Sequence, residues 1–166
     1  VSRKGKKAFT LIEILVVVSV IIVLMGLTSL GVMGAMKKSK IQKARAEIMN
    51  LLTAVKVYQS ETGLAPSMIR EDYIGSPLSR ADVYGSGSTD EIFGPYFEFK
   101  ENNSSGSLGS RTVVDPWGSD YEYRKAGSTA GLSGSALRAV QNGFHIVYSK
   151  GPDTVADNAD DIGSWQ

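Results

Sequence analysis

Residues 14–36 form 23 consecutive positions without a charge. Such a run predicts a helix that is apolar on every side. At about 1.5 Å per residue it is roughly 35 Å long, enough to cross a hydrocarbon core of about 30 Å. Lys37, Lys38 and Lys40 close the run, and the hydrophobic positions then thin to a single stripe. Ile41, Ala44, Ile48, Leu51, Leu52, Val55 and Tyr58 recur at steps of three and four, while Lys43, Arg45, Glu47, Asn50, Lys56 and Gln59 fill the other side. This is the signature of an amphipathic helix that buries one face. No Gly or Pro follows Gly34 until Gly63, so the two stretches read as one helix over about 9–62. Gly63 is a good C-terminal stop, with Pro66 just beyond it.

Beyond that helix the periodicity shortens. Residues 63–110 are mixed: Met68-Ile69 and Asp72-Tyr73-Ile74 suggest short helical or turn structure, and Pro66 and Pro77 interrupt it. Residues 84–89 read as a Gly/Ser loop, Tyr96-Phe97-Glu98-Phe99-Lys100 as a strand, and residues 102–110 as a polar loop. Residues 111–166 alternate more clearly. Arg111 to Val114 lead into the turn sequence Asp115-Pro116-Trp117-Gly118. Tyr121-Glu122-Tyr123-Arg124 and Phe144-His145-Ile146-Val147-Tyr148 read as half-buried antiparallel strands, with a Gly/Ser/Ala-rich loop between them to about Asn142. The fold class is α+β: a long N-terminal helix under a small antiparallel sheet of two to four strands. Trp117, Tyr121, Tyr123, Phe144, Ile146 and Tyr148 are expected to supply much of the buried surface.

One residue disturbs the apolar run. Glu13 stands at its edge, four positions after Phe9, and a carboxylate at membrane depth costs about 2.5–3.5 kcal/mol on insertion scales. Cleavage between Ala8 and Phe9 would create a positive amine one helical turn away, with a pKa near about 7.7–8.0. The first turn also favours a negative charge through the helix dipole. An amine on one chain meeting Glu13 on the next would make burial of the acid depend on assembly.

Composition narrows the classes. At 166 residues the chain holds one modest domain beside the apolar helix, and its net charge of +1 implies no polyanionic partner. Loss of Arg3, Lys4, Lys6 and Lys7 would bring that charge to about −3. There is no Cys, so no disulfide supports the fold. His145 is the only histidine and has no nucleophile near it in sequence; it reads as a packed or edge residue, not as a catalytic base. No phosphate-binding glycine motif and no basic, aromatic-interleaved face is present, so neither an enzyme nor a nucleic-acid binder is expected.

The tail holds Asp153, Asp157, Asp160 and Asp161 within nine residues, with Asn158 among them. Hard oxygen donors on a flexible loop suit Ca²⁺, which takes about 6–8 oxygens, and no His or Cys is near to favour zinc. Composition alone leaves two readings open, a solvated acidic loop and a cation site, and favours the first.

The octet Lys6-Lys7-Ala8-Phe9-Thr10-Leu11-Ile12-Glu13 resembles the class III signal of type IV pilins and of the pseudopilins of type II secretion. The resemblance implies a leader, residues 1–8, removed by a prepilin peptidase between Ala8 and Phe9, N-methylation of Phe9, and Glu13 as the assembly glutamate. Ala8 replaces the usual Gly, and the proline common partway along such helices would fall at Leu30, where this chain has none. The succession Asp115-Pro116-Trp117-Gly118, Tyr121, Tyr123, Tyr148-Ser149-x-Gly151-x-Asp153 and Asp161-Ile162-Gly163-x-Trp165 is similar to the major-pseudopilin family of type II secretion. That family implies a structural calcium ion held by Asp153 and Asp160, with the Lys150 carbonyl and with Asn158 and Asp161 in the same set. It also implies residues 9–36 as a membrane and filament-core helix, 37–62 as its amphipathic half, 63–110 as a variable region and 111–166 as the sheet with its acidic loop. The implied partners are other copies of the chain in a helical homopolymer, minor pseudopilins, the prepilin peptidase, an inner-membrane assembly platform and, before assembly, membrane lipid. The implied location is the bacterial inner membrane, single-pass, N-terminus cytoplasmic and C-terminal domain periplasmic. A type IV or competence pilin, serving adhesion, motility or DNA uptake, is the neighbouring alternative; the missing Cys and the Asp-rich tail weigh against it. An anchored module that uses Ca²⁺ to recognise sugars is a third reading.

Overall fold

The computed structural model describes residues 9–76, 78–85 and 92–166, apart from the side chains of residues 27–32 and 79–81. Ala8 and the rest of the expected leader, Pro77, and most of the expected 84–89 loop lie outside the described residues. Helix α1 runs Leu11–Thr62. Two compact units divide the chain, one ending at Ser39 and the other spanning Lys40–Gln166.

From Leu11 the first unit is helix, and its large apolar side chains from Leu11 to Met25 stand exposed around it. Among the described residues no helix is long and apolar enough to cross a membrane; the side chains of residues 27–32, in the second half of the expected span, are outside the description.

In the second unit the expected stripe is the buried one. Ala44, Ile48, Leu51, Val55 and Tyr58 are inside, Ile41 and Leu52 pack beside them, and Ala54 joins the face. The helix stops as its sequence requires. Gly63 takes a positive φ of 70° and its amide donates to the Gln59 carbonyl, an αL ending that a Cβ would oppose. The Thr62 hydroxyl donates back to the Tyr58 carbonyl at 2.8 Å.

Short elements follow: a π turn at Glu71–Gly75, strand β1 (Leu78–Ser79), helix α2 (Arg80–Tyr84), strand β2 (Ile92–Phe93), a 3₁₀ turn at Glu101–Asn103, and strands β3 (Ser104–Ser105) and β4 (Thr112–Val113). β1 pairs with β2 and β3 with β4, both antiparallel. The expected strand over Tyr96–Lys100 does not form. The amides of Tyr96 and Phe97 both donate to the Ile74 carbonyl, which belongs to the Glu71–Gly75 turn, so the segment has no extended partner to form a ladder with. Phe99 is buried all the same, its ring lying against Gly75.

The middle region is held by an ion pair. Glu71 accepts from the Arg111 guanidinium at 2.6 and 3.0 Å and from the Gly109 amide at 2.7 Å, while the Glu71 amide donates to the Arg111 carbonyl. These donors, the guanidinium foremost, hold the Glu71 carboxyl down at about 2, from an ordinary 4.5. Because the folded value is the lower one, the unfolded chain takes up the proton first. The contribution of this pair to stability is therefore complete above about pH 4.5, declines as pH falls, and is gone near pH 2. Acid unfolding of Glu71→Gln should accordingly show a flatter slope over that interval than the parent; identical slopes would remove the pair from the account.

Three further strands make the main sheet: β5 (Glu122–Arg124), β6 (Ile146–Ser149) and β7 (Ile162–Gly163), in the order β5-β6-β7, all antiparallel. β6 is buried on both faces. Val147 faces the α1 core with Tyr121 and Ile162, whereas Ile146 and Tyr148 face a second cluster with Ala136 and Val140. That second cluster contains a correction. Helix α3 (Gly134–Gln141) lies within the stretch expected to be loop. Ala136 and Val140, four apart, put one apolar face on the sheet, and Leu137, Arg138, Ala139 and Gln141 are good helix formers. Phe144 is the other correction: it is 64% exposed. The ladder between β5 and β6 ends at the Arg124–Ile146 pair, so Phe144 lies past the last partner strand. Trp117 and Tyr123 are half-buried against the core.

Candidate functional site: a capped apolar helix and an acidic terminal loop

At the start of α1, Thr10 and Glu13 lock onto each other. The Glu13 carboxylate accepts from the Thr10 amide at 2.8 Å and its hydroxyl at 2.9 Å, and the Glu13 amide donates to the Thr10 hydroxyl oxygen at 3.3 Å. This is a reciprocal capping box, a feature the Thr-x-x-Glu spacing announced and the sequence reading did not use. Phe9, at the position expected to become the new terminus, is 79% exposed. Behind the cap, the large apolar residues between Leu11 and Met25 are exposed by 44% to 84%.

At the other end, the acidic loop leaves β6 through Lys150 and Gly151. Asp115 anchors it. Buried at 4% exposure, Asp115 accepts from the amides of Trp117 and Ser119 through Oδ1, both at 2.9 Å, and from the Ser149 hydroxyl through Oδ2 at 2.6 Å. Ser149 Oγ in turn accepts from the Gly151 amide at 3.0 Å. Gly151 has φ of 69°, and a Cβ there would lie 2.5 Å from the Asp160 carbonyl oxygen and 2.9 Å from Asp160 Oδ2. The loop closes on itself at a point where only glycine fits.

The expected ligands are distributed as follows. Asp153 accepts from the Val155 amide at 2.9 Å and from Asn158 Nδ2 at 2.7 Å. Asn158 Oδ1 accepts from the Asp160 amide. Asp161 is buried and accepts from the Asp157 amide through Oδ2 at 2.7 Å, but its Oδ1 is buried with no partner. Burial pushes the Asp161 carboxyl above its usual range. The Lys150 side chain turns away to Glu122, Nζ to Oε1 3.0 Å. Thus Asp153 and Asn158 meet, and Asp160 closes on Gly151. Among the described residues no three Asp, Glu, His or Cys side chains converge as a metal cage. The donor set nonetheless suits a hard cation in kind: every group is an oxygen, and the unpartnered Asp161 Oδ1 is an acceptor in need of a positive partner.

Asp157 belongs to the acidic cluster in sequence but lies outside the implied ligand set. It holds a positive φ of 67° and accepts from the Ser133 amide and hydroxyl, both at 2.8 Å, at the head of α3. No local sequence signal links positions 24 residues apart. His145 is a packed residue: its Nδ1 accepts from the Ala126 amide at 3.2 Å and the ring stacks on Tyr123. Burial and the nearby Lys125 hold its pKa below the usual imidazole value.

Residues 3–29 match the family described as the prokaryotic N-terminal methylation motif. Over nearly all of its length the chain is similar to proteins named type II secretion system core protein G. That of Klebsiella pneumoniae is 29% identical, the alignment covering 96% of this chain and 94% of the relative. That of Pectobacterium carotovorum is 28% identical, covering 96% and 85%. Among solved structures, the major pseudopilin of the type 2 secretion system of enterohaemorrhagic Escherichia coli matches with a TM-score of 0.48 and 20% identity, covering 80% of this chain and 92% of that one.

Proposed function

We propose that the chain, which is similar over nearly all of its length to the core protein G of type II secretion systems and carries the N-terminal methylation motif, is a structural, non-enzymatic subunit of a pseudopilus. The observation that carries this reading is the start of α1, capped through Glu13 and followed by exposed apolar side chains. Side chains exposed by up to 84% need lipid or other helices around them, since burying one Leu, Ile or Val is worth about 1.5–3 kcal/mol. Before assembly that cover is the inner membrane, with the N-terminus cytoplasmic and the Lys40–Gln166 unit periplasmic. After assembly it is the same helix of neighbouring copies, because head-to-tail contacts that do not close build helical fibres.

Glu13 sets the register. Its carboxylate is prepared by Thr10, and cleavage at Ala8 by a prepilin peptidase places the methylated Phe9 amine within one turn. The amine of one subunit and Glu13 of the next then neutralise each other in an apolar core. Minor pseudopilins and an inner-membrane assembly platform are the further partners that this reading implies. A structural calcium ion in the terminal loop, taken by Asp161 with Asp153, Asn158, Asp160 and the Lys150 carbonyl, would supply the positive charge that the unpartnered Asp161 oxygen lacks. Of these, Asp153 and Asn158 would have to exchange their mutual hydrogen bond for the ion.

The experiment is expression of the full chain with a type II secretion system and recovery of sheared filaments. Intact mass should give a chain beginning at methylated Phe9, and Glu13→Gln should abolish filaments while the protein stays in the membrane. Unchanged filament yield and export in Glu13→Gln would reduce the protein to a tethered domain.

A further inference from the structure

The Lys40–Gln166 unit carries two open grooves on either flank of the buried face of α1. The first, ≈ 790 Å³, is lined by Glu47, Val57, Glu61, Ile92, Pro95 and Glu98. The second, ≈ 620 Å³, is lined by Leu52, Lys56, Arg138, Ala139, Phe144 and Trp165. At 100° per residue, the α1 positions of the two grooves point roughly 165° apart, with the core stripe between them. Their chemistries are opposite. Three carboxylates line the first groove: Glu47, 3.8 Å from Lys43, Glu98, 3.9 Å from Lys100, and Glu61, which accepts from the Tyr96 hydroxyl at 2.8 Å, so the groove is acidic on balance. No carboxylate lines the second, whose Lys56 and Arg138 flank the exposed ring of Phe144. Each also carries an exposed large apolar residue, Ile92 at 59% in the first and Phe144 at 64% in the second.

We propose that these grooves are the two halves of one heterologous contact, the cationic Phe144 groove of each copy seating against the acidic Ile92 groove of the next. Rested on the pseudopilus reading, this assigns the lateral contact between globular units, apart from the helical core. Opposite net charge on the two flanks lets copies add in a single direction. It also disfavours two copies meeting by the same flank, since like charges would then be opposed. A contact that uses different patches on its two sides propagates unless rotation closes it into a ring. Phe144 is the apolar anchor, and Lys56 and Arg138 form a rim that selects the partner surface.

The test uses the full-length chain in the secreting host. Because the chain has no native Cys, Phe144→Cys with Ile92→Cys reports the contact directly: oxidation should give a ladder of dimers and higher multimers. Lys56→Glu with Arg138→Glu should lower filament yield by about three- to tenfold, as should Glu61→Lys with Glu98→Lys, from the loss of rim pairs. All four changes in one chain should restore the yield, and so should co-expression of the two double variants. Melting temperatures close to the parent's would establish that the variants are folded, and the cysteine ladder does not depend on them. Filaments from the parent with no Phe144–Ile92 ladder, or with yields untouched by both charge reversals, would overturn this contact and leave the pseudopilus reading standing. A Phe144→Cys single variant that cross-links to itself would overturn the head-to-tail arrangement in favour of a symmetric pair. No filament from the parent would overturn both.

Discussion

Asp115→Ala should lower the thermal midpoint of the Lys40–Gln166 unit by about 6–20 °C, which corresponds to roughly 3–5 kcal/mol for a chain of this size. Three donors converge on the Asp115 carboxylate in a buried place: the Trp117 and Ser119 amides and the Ser149 hydroxyl. Bonds to a charged acceptor are each worth about 1.5–3 kcal/mol, and truncation leaves the donors without a replacement inside the fold. The damage should spread in a definite direction. Ser149 relays the anchor to the Gly151 amide, so the acidic loop loses its root along with the Asp115–Gly118 turn. Asp115→Asn keeps one carbonyl oxygen for the two amides but presents an amide N–H₂ to Ser149, so a smaller loss is expected. Calorimetry of the three proteins checks this; equal midpoints for parent and Asp115→Ala would show that the turn is held by other contacts.

Addition of calcium to about a hundredfold excess over its dissociation constant should stabilise the protein by about 2.7 kcal/mol, raising the midpoint by about 5–11 °C. The prediction follows from the proposed ion site and rests on one atom in particular. Asp161 Oδ1 is buried and unpartnered, so the loop holds a charge whose cost a divalent cation would offset. Asp161→Asn should remove most of the calcium effect and raise the midpoint measured in chelator, because the buried charge is gone. Asp153→Ala should remove the calcium effect with little change in chelator, its carboxylate being exposed and bonded only within the loop. Magnesium, which keeps its waters and asks for stricter geometry, should substitute poorly. A midpoint indifferent to calcium and chelator would sink the ion site without touching the filament.

The long helix was legible because its signals are local. An uncharged run, a stripe at steps of three and four, and a glycine at the stop are set by neighbours within one turn, and α1 follows them to Thr62. The turn at Asp115-Pro116-Trp117-Gly118 and the strands about Tyr123 and Val147 were legible for the same reason, as was the packed character of His145. The Thr10–Glu13 cap is equally local, its Thr-x-x-Glu spacing being a capping-box signature.

What the tertiary structure alone decided is where chain segments far apart in sequence meet. Glu71 finds Arg111 across 40 residues, Tyr121 finds Glu47 across 74, and Asp157 finds Ser133 at the head of α3. No periodicity records such partners. Phe144 looked buried because it alternates in phase with Ile146 and Tyr148, yet burial also requires a neighbouring strand, and β5 ends too soon. Residues 126–142 looked like loop by their Gly and Ser, yet Ala136 and Val140 became a helix face once the back of β6 offered them a surface. The physical distinction is that helix and turn formation is governed by a residue's near neighbours, whereas the burial of a side chain and the partner of a charge depend on whatever the completed fold brings alongside.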